Sequence, residues 1–256
     1  MTDTTLVADE DGALPIEASG RQKVIICTPT ITKPHPAYLK SLEDSIQLLD
    51  EAGFDHGAVF TVGAPYISHN RAMMTRKAMD AKADIVVYID HDVSWNPPDL
   101  LHLIQTKGDV VAGTYRFKKD EETYMGTILT DARGYPQCRD DGCISAQWMP
   151  AGFLKITKEG VDKFMRAYPE LVYGPRYNPS IDLFNHGAHE GLWYGEDYSF
   201  SRNYTAKCGP IWIVPDLNLT HHSSDKAYPG NFHRHLLQRP GGSESDSPVL
   251  PQARAA

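Results

Sequence analysis

The strongest structural signal in the chain is a short apolar run that ends abruptly in acidic residues. Ile85-Val86-Val87-Tyr88-Ile89 is rich in β-branched side chains and carries no charge until Asp90. A run that is apolar on both sides is typical of a strand buried inside a parallel sheet. The sequence therefore predicts a central strand with Asp90-His91-Asp92 at its carboxyl end.

The residues around this strand alternate between strand and helix patterns. Lys23-Val24-Ile25-Ile26-Cys27 predicts a first strand that stops at Thr28-Pro29-Thr30. Helices are predicted over 37–52, 68–81 and 97–106, and further strands over 58–62 and 109–113, from the spacing of apolar side chains. This alternation predicts an α/β fold with a Rossmann-like, doubly wound, mainly parallel sheet.

The second half of the chain predicts shorter strands and more loops. Two hairpin-like stretches are expected over 123–130 and 134–147, a helix near 158–168, and short strands over 209–215 and 216–222. We expect one domain over 21–238, with flexible segments at 1–20 and 239–256, where acidic, Thr, Pro, Gly and Ser residues replace apolar periodicity.

Composition limits the classes of partner. The chain has 25 Lys and Arg against 33 Asp and Glu, a formal net charge of −8, and it has no long basic run. This balance disfavours a nucleic-acid partner. No stretch approaches the roughly 20 apolar residues of a membrane span, and the N-terminus lacks the order of a signal peptide. We therefore expect a cytoplasmic protein without a membrane span. Its four scattered cysteines predict neither a disulfide framework nor a four-cysteine zinc site.

Asp90 and Asp92 suit a cation site at the carboxyl edge of the sheet, where open α/β folds bind their ligands. In an extended segment residues two apart face the same side, so both carboxylates can address one ion while His91 points away. Hard oxygen ligands favour Mg²⁺ or Mn²⁺, with a diphosphate completing the coordination. A solvated turn after a strand is the alternative.

From about residue 23 to about 222, this order of elements resembles the GT-A glycosyltransferases, in particular family-2-like enzymes that use a metal ion and a nucleotide-sugar. The resemblance implies a donor half over about 21–115 and an acceptor half of short strands and loops over about 116–238. It implies that Asp90 and Asp92 bind the metal and that Asp90 and His91 contact the donor, a UDP- or GDP-sugar. By the same match, Thr28, Pro29 and Thr30 contact the nucleotide, and Arg71 in Ser68-His69-Asn70-Arg71 approaches the donor.

Three later segments extend the resemblance. Gly152, in Met149-Pro150-Ala151-Gly152, is similar to the small-residue segment under the acceptor site, and a simple turn is the alternative. Tyr194-Gly195-Glu196-Asp197 resembles the x-Glu-Asp motif, which implies catalytic roles for Glu196 and Asp197, with Asp197 as the base. Two acids that stabilise a helix N-terminus are the alternative. At the end of the final strand, the resemblance implies that His221, in preference to His222, is a third metal ligand.

Three further groups of residues have weaker patterns. His186-Gly187-Ala188-His189-Glu190 fails the spacing of a helical zinc motif, and its glycines favour a loop that acts as a lid. Trp148, Trp193 and Tyr194 offer flat faces for sugar rings, although aromatic residues are equally common in cores. Arg116, Lys118 and Lys119 form a basic loop that either meets a diphosphate or is simply solvated.

The resemblance implies transfer of a sugar from a nucleotide-diphosphate sugar to an acceptor hydroxyl, with inversion favoured by the x-Glu-Asp motif. The acceptor is left open between a glycan or small molecule and a hydroxymethylated DNA base. The DNA base is considered because similar compact enzymes are encoded by bacteriophages. If this chain is encoded by a phage, the expected location is the host cytoplasm. Two alternatives are a nucleotidyltransferase, whose glycine-rich basic loop is missing after the first strand, and a non-catalytic carbohydrate- or nucleic-acid-binding protein. The sequence leaves the oligomeric state open.

Overall fold

The computed structural model describes residues 20–63 and 65–238. The predicted flexible ends, 1–20 and 239–256, lie outside the described residues except for Gly20. The helices are α1 (Pro36–Glu51), α2 (Ile67–Asp80), α3 (Pro97–Gln105), α4 (Lys158–Ala167), α5 (Glu196–Lys207) and α6 (Phe232–Leu237), with a 3₁₀ turn over Pro169–Leu171.

The strands are β1 (Lys23–Thr30), β2 (Asp55–Val62), β3 (Ile85–Ile89), β4 (Val93–Trp95), β5 (Val110–Gly113), β6 (Thr127–Ile128), β7 (Ile144–Trp148), β8 (Phe153–Thr157), β9 (Val172–Tyr173), β10 (Ser180–Ile181), β11 (Gly187–His189), β12 (Leu192–Tyr194), β13 (Ile211–Val214), β14 (Asn218–His222) and β15 (Ala227–Asn231).

Eight of these strands form one central sheet, in the order β2-β1-β3-β8-β5-β13-β7-β6. β1 is parallel to β2 and β3, and β5 is parallel to β13. β8 runs antiparallel between β3 and β5, and β7 runs antiparallel to β13 and β6. The predicted α/β class with a mainly parallel sheet is confirmed.

Side chains that alternate along β3 build two cores, one on each face of the sheet. Val86 and Tyr88 belong to the core on the side of α2, α4 and α5, whereas Ile85, Val87 and Ile89 belong to the core on the side of α1 and α3. This strand is buried on both faces because helices cover both, which explains why its sequence is apolar throughout.

The first strand is longer than the sequence predicts. Thr28, Pro29 and Thr30 do not form a loop but continue β1, paired with Phe60–Val62 of β2. β3 pairs with β1 only as far as Cys27. Beyond that point β1 has a neighbour on one side alone, so Pro29, which has no N–H to donate, is tolerated there.

The second half contains three small sheets that the sequence did not specify. β4 pairs with β14, which pairs in turn with β15. The segment from Gly187 was interpreted as a loop, but β11 and β12 form an antiparallel hairpin. Glu190 and Gly191 have φ of 50° and 80° at its turn, the conformation that a two-residue hairpin connection requires. None of the helices in the described part of the chain is long and apolar enough to cross a bilayer.

Candidate active site

A cavity of about 270 Å³ opens at the carboxyl ends of β1 and β3. This is the sheet edge at which the sequence predicted a ligand site. Six of the predicted site residues line the cavity: Pro29, Thr30, Asp90, His91, Asp92 and His221. The other lining residues are Ile31, Pro65, Ile67, Asn70, Tyr115 and Met125.

Thr30 lines this cavity with a buried side chain. The residue is buried, and its hydroxyl oxygen has no hydrogen-bond partner. Thr28, by contrast, does not line the cavity. It is fully buried, and its hydroxyl shares a 2.5 Å hydrogen bond with that of Tyr38. Of the predicted Thr28-Pro29-Thr30 contact, the last two residues are therefore the ones within reach of a bound molecule.

Asp90 is held by contacts with Gly152, Tyr115 and Arg71. β8 runs antiparallel to β3, so Gly152, just before β8, lies opposite Asp90, just after β3. The Asp90 amide donates to the Gly152 carbonyl at 3.0 Å. The Tyr115 hydroxyl donates to Asp90 Oδ2 at 3.3 Å. A methyl group at Gly152 would lie 2.8 Å from Asp90 Cγ and would overlap the Tyr115 hydroxyl. Gly152 thus permits a close approach of the backbone to Asp90 and Tyr115, but it does not line the cavity.

Arg71 stands behind the cavity wall and does not line it. Its side chain is 1% exposed; Nη2 donates to Asp90 Oδ1 at 2.8 Å and Nη1 donates to Glu196 Oε1 at 2.6 Å. Its guanidinium also lies over the Phe184 ring, 5.4 Å from the centroid. Burial favours the neutral form, but the charges of Asp90 and Glu196 outweigh it and raise the pKa of Arg71. Arg71 therefore acts as a fixed cation that joins two carboxylates from distant parts of the chain.

Asp92 belongs to a second group of charges. Lys118 Nζ forms an ion pair with Asp92 Oδ2, and His221 Nε2 lies 3.7 Å from Asp92 Oδ1. Burial opposes the charged form of Asp92, yet the neighbouring His221 and Lys118 side chains lower its pKa well below the usual range. Asp92 is therefore ionised over the physiological range. Of the predicted basic loop, Lys118 reaches the site, while Lys119 pairs with Glu121.

A backbone carbonyl orients His221. The Arg116 carbonyl lies 2.8 Å from Nδ1, and a carbonyl can only accept, so Nδ1 carries the proton and Nε2 faces Asp92. A second hydrogen bond of this kind is the usual way in which a protein orients a histidine that binds a metal. His222 points elsewhere: it stacks on His35 with centroids 4.2 Å apart and contacts the Ser94 hydroxyl at 2.8 Å.

The donor set around Asp92 fits a divalent cation only in part. Among the described residues, no three His, Cys, Asp or Glu side chains are arranged to hold a metal ion. Asp92 and the neutral Nε2 of His221 offer an oxygen and a nitrogen ligand, whereas Asp90 Oδ1 is taken by Arg71. Such a pair fits Mg²⁺ or Mn²⁺ when a diphosphate and water supply the remaining ligands. The role of Asp90 as a metal ligand stays a prediction.

Glu196 and Asp197 form the first turn of α5, after Gly195 at the N-cap. Glu196 forms an ion pair with Arg71, and its predicted catalytic role stays a prediction. Asp197 accepts a 2.8 Å hydrogen bond from the Tyr198 amide. Burial, and then the neighbouring charge of Glu196, raise the pKa of Asp197 to about 6. A carboxylate with this pKa is suited to accept a proton near neutral pH.

The sequence motifs that predicted Asp90, Asp92 and Asp197 did not predict every residue at the site. Tyr115 follows β5 at the carboxyl edge of the sheet, so the rule that located Asp90 could also have located it. Asn70 precedes Arg71 and lines the cavity. Lys118 has no local signal, because its contact with Asp92 depends on how the loop after β5 folds back. All four cysteines are unpaired.

No family model matches the chain, and no curated protein matches it. Solved structures resemble it at low identity. Protein A197 from STIV has 15% identity and a TM-score of 0.47, over 82% of this chain and 95% of its own. A complex of Drosophila β-1,4-galactosyltransferase 7 with manganese, UDP-Gal and xylobiose has 10% identity and a TM-score of 0.42, over 88% of this chain and 78% of its own. S. aureus TarS in complex with UDP-GlcNAc has 14% identity and a TM-score of 0.41, over 89% of this chain and 62% of its own.

The chain's own topology decides its fold. Two β-α units lead to β3, Asp90 and Asp92 follow that strand at the carboxyl edge, and β8 lies antiparallel beside it. In the second half, β14 pairs with β4, which begins directly after Asp92. The chain therefore has an α/β fold with a mainly parallel central sheet, and the order of its elements agrees with the one that the resemblance to GT-A enzymes implied.

Proposed function

We propose that the chain is a glycosyltransferase that moves a sugar from a nucleotide-diphosphate sugar to an acceptor hydroxyl with the help of a divalent cation. The main support for this proposal is that Arg71 forms ion pairs with two carboxylates, Asp90 and Glu196. One of them, Asp90, lines the cavity at the carboxyl edge of the sheet, and the other, Glu196, precedes the candidate base Asp197. A donor site and a base are thus tied to each other through one buried cation.

The cavity suits the nucleotide-diphosphate part of a donor. Thr30 offers an unpartnered hydroxyl, and Ile31, Pro65 and Ile67 offer apolar contact. Asp92 and His221 would hold the cation, which would be Mn²⁺ or Mg²⁺ and would offset negative charge on the departing diphosphate. Lys118, already at Asp92, brings a second positive charge to the same region. A UDP- or GDP-sugar is the proposed donor.

Asp197 would take the acceptor proton. As the acceptor oxygen bonds to the anomeric carbon, its proton passes to the Asp197 carboxylate, and the bond from the anomeric carbon to the diphosphate oxygen breaks. A base opposite the leaving group inverts the anomeric configuration, so we propose an inverting reaction. Arg71 sets the position of the base through Glu196, one residue before it.

Two other functions are less well supported. A nucleotidyltransferase needs a flexible basic loop after the first strand, but Thr28-Pro29-Thr30 is paired in β1. A non-catalytic binding protein gives no reason for a carboxyl group whose pKa is raised to about 6 beside the cavity.

The Asp197→Asn variant tests the reaction. We expect it to bind nucleotide-sugars as the wild type does, because Asp197 does not line the cavity, and to lose about 100-fold or more in donor turnover, because a positioned base contributes 10²–10⁴-fold. Turnover is measured as release of UDP or GDP from a panel of nucleotide-sugars with Mn²⁺. An Asp197→Asn variant with wild-type turnover would remove Asp197 from the reaction.

A further inference from the structure

We infer that the acceptor is a neutral sugar residue, bound against a cluster of three aromatic rings beside Asp197: Trp148, Tyr194 and Tyr198. This inference rests on the proposed function and specifies its acceptor. The ring centroid of Trp148 lies 5.9 Å from that of Tyr194 and 5.6 Å from that of Tyr198. Tyr194 and Tyr198 lie on either side of Asp197 in sequence, so the cluster is built on the segment that carries the candidate base.

The cluster is joined to the base by the backbone. The Tyr198 amide donates to Asp197 Oδ1 at 2.8 Å. Ser201 accepts from the Met149 amide at 3.2 Å and donates to the Asp197 carbonyl at 2.8 Å, which ties the end of β7 to the first turn of α5. A ligand lying on these rings would therefore present its hydroxyl groups at a fixed place relative to Asp197.

The three rings of the cluster are more exposed to solvent than aromatic rings in the hydrophobic core. Phe164, Phe184 and Phe200 pack on the same side of the sheet and are 0% exposed. Tyr198 is 38% exposed, and Trp148 and Tyr194 are only partly buried. Partly exposed rings offer an apolar face to the C–H side of a sugar ring, while the sugar hydroxyls remain free to reach polar groups.

Charge favours a neutral acceptor over a DNA base. No Lys or Arg occurs between Arg176 and Arg202, whereas Asp182, Glu190, Glu196 and Asp197 do. Binding to DNA depends on cations that neutralise phosphates, and this segment supplies none. Arg202 lies over the Tyr194 ring, 4.5 Å from its centroid, and donates to Ser199 and Asn203. Its Nε and Nη2 atoms are thus engaged within α5, while Nη1 is buried and has no hydrogen-bond partner.

Trp193 provides a matched control on the same hairpin. It is 72% exposed, and alternation along β12 turns it to the face opposite Tyr194, where it meets the ring of His186 at 6.0 Å. Trp148→Ala and Tyr198→Ala remove rings from the cluster, and Trp193→Ala removes a ring from the other face. Tyr198→Ala is the second variant because its partly exposed ring is less needed for folding than Trp148.

Saturation-transfer NMR tests the inference with methyl glycosides of glucose, galactose, mannose and N-acetylglucosamine, in the presence of diamagnetic Mg²⁺, UDP and GDP. We expect signals from the C–H face of at least one glycoside. We expect Trp148→Ala and Tyr198→Ala to weaken its binding about three- to tenfold, and Trp193→Ala to leave it unchanged.

Three results would overturn the inference: no signal from any glycoside, a loss in Trp193→Ala but not in the cluster variants, or binding of a hydroxymethylcytosine duplex that the glycosides do not compete for. Nucleotide-sugar binding, measured on the same samples, reports separately on the proposed donor chemistry. The acceptor inference can therefore fail while donor binding persists, and the two failures are distinguishable.

Discussion

Arg71 Nη1 lies 2.6 Å from Glu196 Oε1, and this buried ion pair joins two segments separated by 125 positions. α2 carries Arg71 to the end of β3, where it also holds Asp90, and α5 carries Glu196 beside the candidate base. One guanidinium therefore links Asp90, in the wall of the cavity, to the residue that precedes Asp197.

Removal of Arg71 should destabilise the protein strongly. Arg71→Met leaves two carboxylates without their cation, and breaking a buried pair in this way costs about 3–5 kcal/mol. Urea unfolding measures the change. Lys40→Met is the control, because Lys40 is 75% exposed and its pair with Asp44 lies on the surface of α1, where water screens the pair and its loss should change stability little. Equal losses in the two variants would contradict the role given to Arg71.

Gly152→Ala should displace Asp90. The added methyl group overlaps the Tyr115 hydroxyl and Asp90 Oδ2, and overpacking of this kind costs about 1–3 kcal/mol. Thermal unfolding with and without UDP and Mn²⁺ should show both a lower melting temperature and a smaller shift on ligand binding. The double variant Gly152→Ala/Tyr115→Phe removes one of the overlapping atoms and should recover part of the loss. No recovery would mean that Tyr115 is not the obstacle.

The pH dependence of the reaction should report Asp197. Burial raises its pKa to about 6, and the base must be ionised, so kcat/KM should rise about tenfold per pH unit below 6 and level off above it. The measurement uses saturating Mn²⁺ and the best donor. A profile that is flat between pH 5 and 7 would exclude Asp197 as the base.

The raised pKa of Asp197 also predicts that Asp197→Asn increases the free energy of unfolding at high pH. The folded pKa, about 6, is above the reference value of 3.8, so the carboxyl group stabilises the fold below pH 3.8 and this contribution is lost as the pH rises through 6. At pH 8 the neutral Asn should therefore be more stable than Asp by about 1–3 kcal/mol. Urea unfolding at pH 8 and pH 4 measures the difference, and a gain that is equal at both pH values would not come from ionisation.

Lys118→Met should strengthen cation binding. Lys118 Nζ occupies one oxygen of Asp92, so a divalent ion must compete with it for the carboxylate. We expect a rise of about three- to tenfold in Mn²⁺ affinity by calorimetry, since a partly exposed ion pair is worth about 1 kcal/mol. Lys119→Met is the matched control, because Lys119 pairs with Glu121. An unchanged affinity in Lys118→Met would show that the pair does not oppose the metal.

The sequence predicted those parts of the fold that depend on local periodicity. β3 covers the predicted residues, and α1, α2, α3 and α4 lie within one or two residues of their predicted bounds. The sequence did not predict that β8 runs antiparallel between β3 and β5, because strand direction depends on pairings between residues far apart in the chain. β4 has three residues, too few to show a period.

The candidate site was predictable where a motif follows a strand and unpredictable where a contact is remote. Asp90, His91 and Asp92 line the cavity because they follow β3. Arg71 was expected to approach the donor, and its burial depends on Glu196, which no local pattern of α2 could indicate. The pairing of Asp92 with Lys118 likewise depends on the path of a loop, which the residues near Asp92 do not encode.

The most direct test of the central claim is the thermal shift that UDP- and GDP-sugars produce with Mn²⁺, in the wild type and in Asp92→Ala. A ligand that binds the folded state alone stabilises it by about 2.7 kcal/mol at 100 times its Kd. We predict a metal-dependent rise in melting temperature for at least one nucleotide-sugar, and loss of its metal-dependent part in Asp92→Ala. No shift with any nucleotide-sugar, or an unchanged metal-dependent shift in Asp92→Ala, would contradict the account.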